Sequence, residues 1–287
     1  MRELVIDYGV PFSLFVLMTI VGTELVREDL RRAALQPRAV LSGVAGQLLV
    51  LPPLVLLIAA LIGLDHFLTT SLLLLSLCPG GAISNTYSYL ARCNVSLAAT
   101  ITTAGTLCSL ISIPLWLAVV ARWMPFGHEI VTVPTLRILS QLLFLMVLPL
   151  ALGAAARRRW PVLILRMGRH LRWASLVIVF VILLAATWSV RDDLHALAVR
   201  IALSATLFIL GAMLLGWLLA YGLPPRDAPV LVIESAVRNV GIAALIGRIL
   251  FNDTDFGTFG GLLTGYFIIE VAIMLVYAHI LRIRPHA

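Results

Sequence analysis

Two short polar stretches, Cys78-Pro-Gly-Gly-Ala-Ile-Ser-Asn85 and Glu234-Ser-Ala-Val-Arg-Asn239, interrupt segments that are otherwise apolar and long enough to cross a membrane. In hydrocarbon, a freed backbone group has no water to turn to. Helix-breaking and polar residues at that depth are tolerated only where protein or a water-filled cavity receives them. A chain with one such interruption in each half must therefore turn both of them inward.

The rest of the composition demands the same environment. Hydrophobic residues make up 61% of the 287 residues and charged residues only 12%, against roughly a quarter charged in a soluble domain. The mean hydropathy is +1.04. No aqueous core of this length can take up that much apolar surface, so the lipid bilayer is the first partner, and the fold class is an all-α polytopic membrane protein forming one domain over 1–287. A net charge of +7 would suggest nucleic acid in a soluble protein. Here the basic residues, all of them Arg, flank apolar runs, as positive-inside topology requires, and no nucleic-acid partner is expected. Cys78, Cys93 and Cys108 show no paired spacing and read as small apolar residues.

Nine apolar runs are about the length needed to span hydrocarbon. They lie over approximately 5–25, 39–62, 68–91, 95–120, 136–156, 171–190, 198–221, 228–250 and 257–282. The first, Val10 to Leu25, lacks a basic leader and a cleavage site, and reads as a retained span rather than a signal peptide. The eighth has its hydropathy lowered by Glu234, Arg238 and Asn239. Arginines concentrate in alternate loops, with Arg157, Arg158 and Arg159 the densest group. That bias puts the N-terminus outside and the C-terminus in the cytoplasm. The similarity of Ala82-Ile-Ser-Asn85 to Ala236-Val-Arg-Asn239 suggests an inverted repeat, 1–156 and 157–287, joined through the Arg-rich stretch 157–172.

Interrupted helices in corresponding positions of two halves are the pointer to the binding site of a secondary transporter. In the third run Pro79 removes a backbone donor and Gly80 and Gly81 weaken the helix further, with the oxygens of Ser84 and Asn85 directly after. The fourth run carries Ser96, Thr100, Thr102, Thr103 and Thr106. Thr100 and Thr106 read as helix-packing hydroxyls. In the eighth run Glu234 and Arg238 stand i, i+4 and would share a helix face, as a pathway element or as a self-neutralising pair, while Asn239-Val-Gly241 supplies the second break. Glu270, in the ninth run, is open to two readings: a substrate or proton site, or a packing carboxylate. Intramembrane charges mark transport pathways more often than structure. No HExxH or GxSxG occurs, the histidines fall in or near loops and termini, and no enzymatic activity or cofactor is expected.

These residues resemble the bile acid:sodium symporter family over nearly the whole chain. The stretch Cys78 to Val95 is close to the family's most specific motif; Gly46-Gln47 through Pro52, Val147 through Gly153 and Glu234 through Gly241 support it. The resemblance implies a nine-span bacterial member in the plasma membrane, lacking the usual first helix. It implies a core domain where two broken helices cross and a panel domain, spans one, five and six, that rocks against it. It further implies a first sodium site at Ser84, Asn85, Thr102 and Glu234, with one hydroxyl ligand missing at Ala98. A second sodium site would fall on Gln47, Glu234 and backbone carbonyls near Ser235 and Val237, but its remaining Gln ligand is replaced by Arg238. A guanidinium has five donors and no acceptor and cannot coordinate sodium. Arg238 is therefore expected to act as a tethered cation with Glu234 as counterion, leaving sodium coupling reduced. The implied function is symport of an organic anion, a bile acid or small monocarboxylate, with Na+ as the coupling ion. A sodium-independent or proton-coupled carrier using Glu234, Arg238 or Glu270 is the alternative, and a non-transporting membrane receptor the second.

Overall fold

The computed structural model describes residues 10–24, 31, 36–81, 83–123, 140, 144, 147–188 and 191–283. Among them every regular element is helical. Helix α1 is Val10–Glu24. Helix α2, Pro37–Ala45, passes through a π-helical turn, Gly46–Val50, into α3, Leu51–Ile62. Helices α4, His66–Leu77, and α5, Ile83–Leu90, are the two parts of the third expected span. Then come α6, Val95–Trp123, α7, Leu148–Arg159, α8, Pro161–Trp188, and α9, Arg191–Leu219. The eighth expected span is again divided, into α10, Ala228–Ala236, and α11, Val240–Leu250, before the closing α12, Asp253–Ile283.

All nine expected runs thus carry helix, and five described segments are long and apolar enough to cross a bilayer. The first part of the run expected at 136–156 lies outside the described residues, apart from 140 and 144. The sixth run departs from expectation: its helix begins at Pro161 rather than near 171. Proline is well placed at a first helical turn, and Arg166, Arg169 and Arg172 continue a helix readily, although they keep this stretch out of a hydropathy window. The expected join between halves is accordingly not an extended linker. It is helical on both sides of Trp160.

The described helices pack in two groups. Helices α1, α7 and α8 lie against one another, and α8 also runs along α12. Contact between α1 and α7 is close because each has a glycine there. A methyl at Gly153 would stand 2.0 Å from the Thr19 carbonyl, and one at Gly22 would stand 2.3 Å from that of Leu150. Such small-residue seams let membrane helices approach where no hydrophobic force drives them together. The second group surrounds α10 and α11. Ala228–Leu250 is buried along its whole apolar window, whereas the other long spans leave half or more of theirs facing outward.

Local chemistry explains why several elements start and stop where they do. Asp65 caps α4, its carboxylate accepting from the Leu68 amide at 2.8 Å. Asn94 accepts from the Leu97 amide at 3.1 Å as α6 begins, and its side chain donates to Asp227 at 2.8 Å, tying that turn to the chain entering α10. The π turn at Gly46–Val50 precedes Pro52, which has no N–H to offer the preceding turn. The Leu48 carbonyl instead accepts from the Trp116 indole at 2.7 Å. One extra residue per turn, a device frequent at functional sites, sets Gln47 facing inward, fully buried.

Candidate functional site

The first helix break runs from Cys78 to Gly81, where Pro79-Gly80-Gly81 ends α4 as expected. The second falls at Val237–Asn239, slightly earlier than the Asn239-Val-Gly241 stretch proposed from composition, since Val240 and Gly241 already belong to α11. The two breaks touch. The Asn239 amide donates to the Pro79 carbonyl at 2.9 Å. A Cβ on Gly81 would sit 3.0 Å from the Arg238 carbonyl oxygen, so the backbones cross at a distance a side chain would disturb.

Each break leaves carbonyls without helical partners, and side chains from elsewhere take them up. The Tyr266 hydroxyl, on α12, donates to the Ala236 carbonyl at 2.6 Å and accepts from the Arg238 amide at 2.9 Å. The Arg238 guanidinium, only 2% exposed, donates to the Cys78 carbonyl at 3.1 Å and to the Glu234 carbonyl. It therefore bridges the open ends of α4 and α10. The side-chain pair expected between Arg238 and Glu234 is not formed, for a geometric reason. The helix ends before reaching Arg238, so the i, i+4 face that would have aligned the two does not exist.

The Glu234 carboxylate is committed to hydroxyls instead. Ser84 donates to it at 2.5 Å and Thr102 reaches both of its oxygens at 3.0 Å. Ser84 and Thr102 are themselves 3.3 Å apart. Gln47 closes the cluster, its side-chain oxygen accepting from the Gly80 amide at 3.2 Å. Gly80 is glycine where room is short, because a Cβ there would stand 2.7 Å from the nearer Glu234 oxygen. The structure thus brings four sequence-nominated residues, Gln47, Ser84, Thr102 and Glu234, to one point. Asn85 follows on α5, its buried side-chain oxygen without a hydrogen-bond partner among the described residues. At Ala98, buried in α6, no side-chain oxygen is present.

The remaining nominated residues have other places. Asn239 caps α11, accepting from the Ile242 amide at 3.1 Å. Thr100 and Thr106 bond back to carbonyls one turn earlier on their own helix, Ser96 at 2.8 Å and Thr102 at 2.7 Å. Glu270 is fully buried, one turn beyond Tyr266. No hydrogen bond of ordinary geometry reaches either of its oxygens among the described residues; the Tyr87 hydroxyl faces it from α5. Of the cysteines, read from sequence as small apolar residues and so as buried thiols, Cys78 is buried at the first break, Cys93 is half-buried and Cys108 is exposed, which corrects the reading for Cys108. Sequence reading passed over Tyr266 and Tyr87, because tyrosine in an apolar run resembles core. The available signal was the four-residue spacing from Tyr266 to Glu270, which puts a second polar tip on that carboxylate's helix face.

Comparison with known proteins adds independent findings. A family model described as the sodium bile acid symporter family matches residues 11–196. Among similar proteins, the ileal sodium/bile acid cotransporter of Oryctolagus cuniculus is 25% identical over 229 residues, 77% of this chain and 63% of that protein. An Arabidopsis thaliana protein named "Probable sodium/metabolite cotransporter BASS1, chloroplastic" is 32% identical over 142 residues, 50% of this chain and 34% of its own length. The Bacillus subtilis protein named "Uncharacterized sodium-dependent transporter YocS" is 28% identical over 117 residues, 40% of this chain and 36% of that one. The matched stretch thus spans about a third of the length of the plant and Bacillus relatives. Each of these names is that of a transporter, not of an enzyme.

Proposed function

The chain belongs to the sodium bile acid symporter family, and we propose that it carries an organic anion, a bile acid or smaller monocarboxylate, across the bacterial plasma membrane by alternating access. The observation that carries this reading is the crossing of two broken helices around Gln47, Ser84, Thr102 and Glu234. Helix ends directed at the middle of a membrane protein supply carbonyls for cations and N-terminal amides for anions. The half-repeats are 1–156 and 157–287. Helices α1, α7 and α8 form the panel and the remainder the core, a division supported by the packing of those three on one another. The N-terminus lies outside and the C-terminus in the cytoplasm.

One coupling sodium binds among Ser84, Asn85, Thr102 and Glu234. The unpartnered oxygen of Asn85 supports this assignment, because a buried acceptor without a donor is the group a hard cation can take up. Ala98 leaves that shell one oxygen short. A second sodium is replaced by Arg238, whose guanidinium donates to two break carbonyls that a mobile cation would otherwise coordinate. Coupling through sodium is therefore weaker than a two-ion site would give. Cation binding favours the substrate-competent state only through its differential affinity for that state.

The test is Arg238→Gln in proteoliposomes and in thermal unfolding, comparing sodium with choline. Returning an oxygen to that position and removing the fixed charge should lower the half-stabilising sodium concentration by about tenfold, roughly 1.4 kcal/mol in binding. Sodium dependence no greater than the parent's would remove the case for a tethered cation. A screen of monocarboxylates and bile acids by thermal shift, followed by counterflow of any stabilising compound, identifies the substrate. Binding without counterflow would make the chain a receptor instead.

A further inference from the structure

We propose that Glu270, with Tyr87, is a proton-binding site that loads together with the sodium and the substrate anion, making the carrier proton-linked as well. This rests on the transporter reading above, but on different residues from its sodium site. The geometry is that of a buried acid left without a fixed partner. Glu270 is fully buried, no hydrogen bond of ordinary geometry reaches either of its oxygens among the described residues, and the Tyr87 hydroxyl stands against it. Buried polar groups in folded proteins are nearly always paired, and an exception asks for a functional explanation. The Tyr87 hydroxyl is the described group beside it, and a phenol can donate to an ionised carboxylate or accept from a protonated carboxyl.

Charge counting around the crossing leads to the same residue. Arg238 and Glu234 carry opposite charges, and a bound sodium and an anionic substrate cancel in the same way. Glu270 is then the one remaining carboxylate in the cluster. Uncompensated charge at membrane depth is costly. The ionisable groups that face Glu270 are Tyr87 from α5 and Arg238 from the second break, with Tyr266 a turn away on its own helix. Arg238 already donates to carbonyls. A metal ion needs several oxygens around it, whereas this carboxylate has a single phenol beside it. A proton needs only the carboxylate. On loading, a proton from water on one side forms an O–H bond at a Glu270 oxygen. When the site opens to the other side that bond breaks and the proton returns to water, with nothing oxidised or reduced.

The experiment is infrared difference spectroscopy of the full chain in lipid, titrated with protons alone. The expected result is a protonated-carboxyl C=O band that bleaches as pH is raised and is missing in Glu270→Gln. Tyr87→Phe should keep the band but move its midpoint by about one pH unit toward alkaline pH, because the phenol donates to the ionised form and a hydrogen bond to a charge has that order of strength. If Glu270→Gln does not fold, the Tyr87→Phe midpoint decides. No titrating carboxyl band in the parent, a band that survives Glu270→Gln, or a midpoint unmoved in Tyr87→Phe would each overturn the proposal. A parent that shows the band but no sodium-dependent stabilisation would retire the sodium reading and leave this site standing. A sodium response without the band would do the reverse.

Discussion

The two helix breaks touch, the Asn239 amide donating to the Pro79 carbonyl, yet they are built by opposite means. The first is local. Pro79 withholds a hydrogen bond and Gly80 and Gly81 lower the cost of leaving the helix, so the chain would break there in almost any surroundings. The second contains neither proline nor glycine: Val237, Arg238 and Asn239 are all residues a helix accommodates at modest cost. It is held open from outside, by the Tyr266 hydroxyl spanning the Arg238 amide and the Ala236 carbonyl, by the guanidinium, and by the Asn239 cap. A break written in backbone preference is stable by itself. A break held by side chains can be changed by whatever moves those side chains, and it adjoins the residues that would bind ions. The division of labour places rigidity in α4–α5 and responsiveness in α10–α11.

Tyr266→Phe is the strongest way to separate the two. It leaves a buried amide and a buried carbonyl without partners at the second break while touching nothing at the first. Each orphaned group costs about 1–3 kcal/mol, so a loss of about 2–6 kcal/mol is expected, read as a fall in the unfolding midpoint in detergent or lipid. Hydrogen exchange should rise at 236–239 and stay unchanged at 78–81. Equal loosening of both segments, or no loss of stability, would show that the second break needs no outside support.

The same asymmetry explains what could be read from the chain. Pro79-Gly80-Gly81 announced its break by composition, and the apolar runs located the spans because bilayer thickness imposes their length. Helix length beyond the bilayer was not legible, as at Pro161, because hydropathy reports depth in lipid rather than hydrogen bonding. The convergence of Gln47, Ser84, Thr102 and Glu234 was reachable only through resemblance to a family. Spacing cannot say that side chains separated by 150 positions, such as Ser84 and Glu234, will meet. The guanidinium's carbonyl partners were out of reach for a further reason. An i, i+4 pair presumes a continuous helix, and the break that invalidates the presumption is held open by Tyr266, whose only sequence signal is its four-residue spacing from Glu270.

At the first break the corresponding perturbation is steric. Gly81→Ala would push a methyl to 3.0 Å from the Arg238 carbonyl, and overpacking of this kind costs about 1–3 kcal/mol. Because the strain falls where the two backbones cross, stability should drop with little change in sodium response. Gly80→Ala makes the informative contrast: its methyl would meet the Glu234 carboxylate at 2.7 Å, so sodium-dependent stabilisation should be lost preferentially. If the two variants lost stability and sodium response in the same proportion, the crossing and the carboxylate cluster would have to be treated as one unit.

The smallest expected effect tests the second break at its far edge. Asn239 contributes in two separable ways, through its amide to the Pro79 carbonyl at 2.9 Å and through its side chain to the Ile242 amide at 3.1 Å. Asn239→Ala removes the second and keeps the first. Loss of an N-cap costs about 1 kcal/mol, and Asn239→Ser, which can cap in the same way, should recover most of it. If the second break owes its form to outside side chains, the Ala variant will fray α11 at its first turn, with the Pro79 contact and the first break untouched. A loss several times larger in Asn239→Ala, not recovered by Ser, would mean that this side chain also serves the bound anion or cation. The cap at α11 would then have to be counted among the residues that carry the substrate, and the line drawn between a structural break and a working one would shift by one residue.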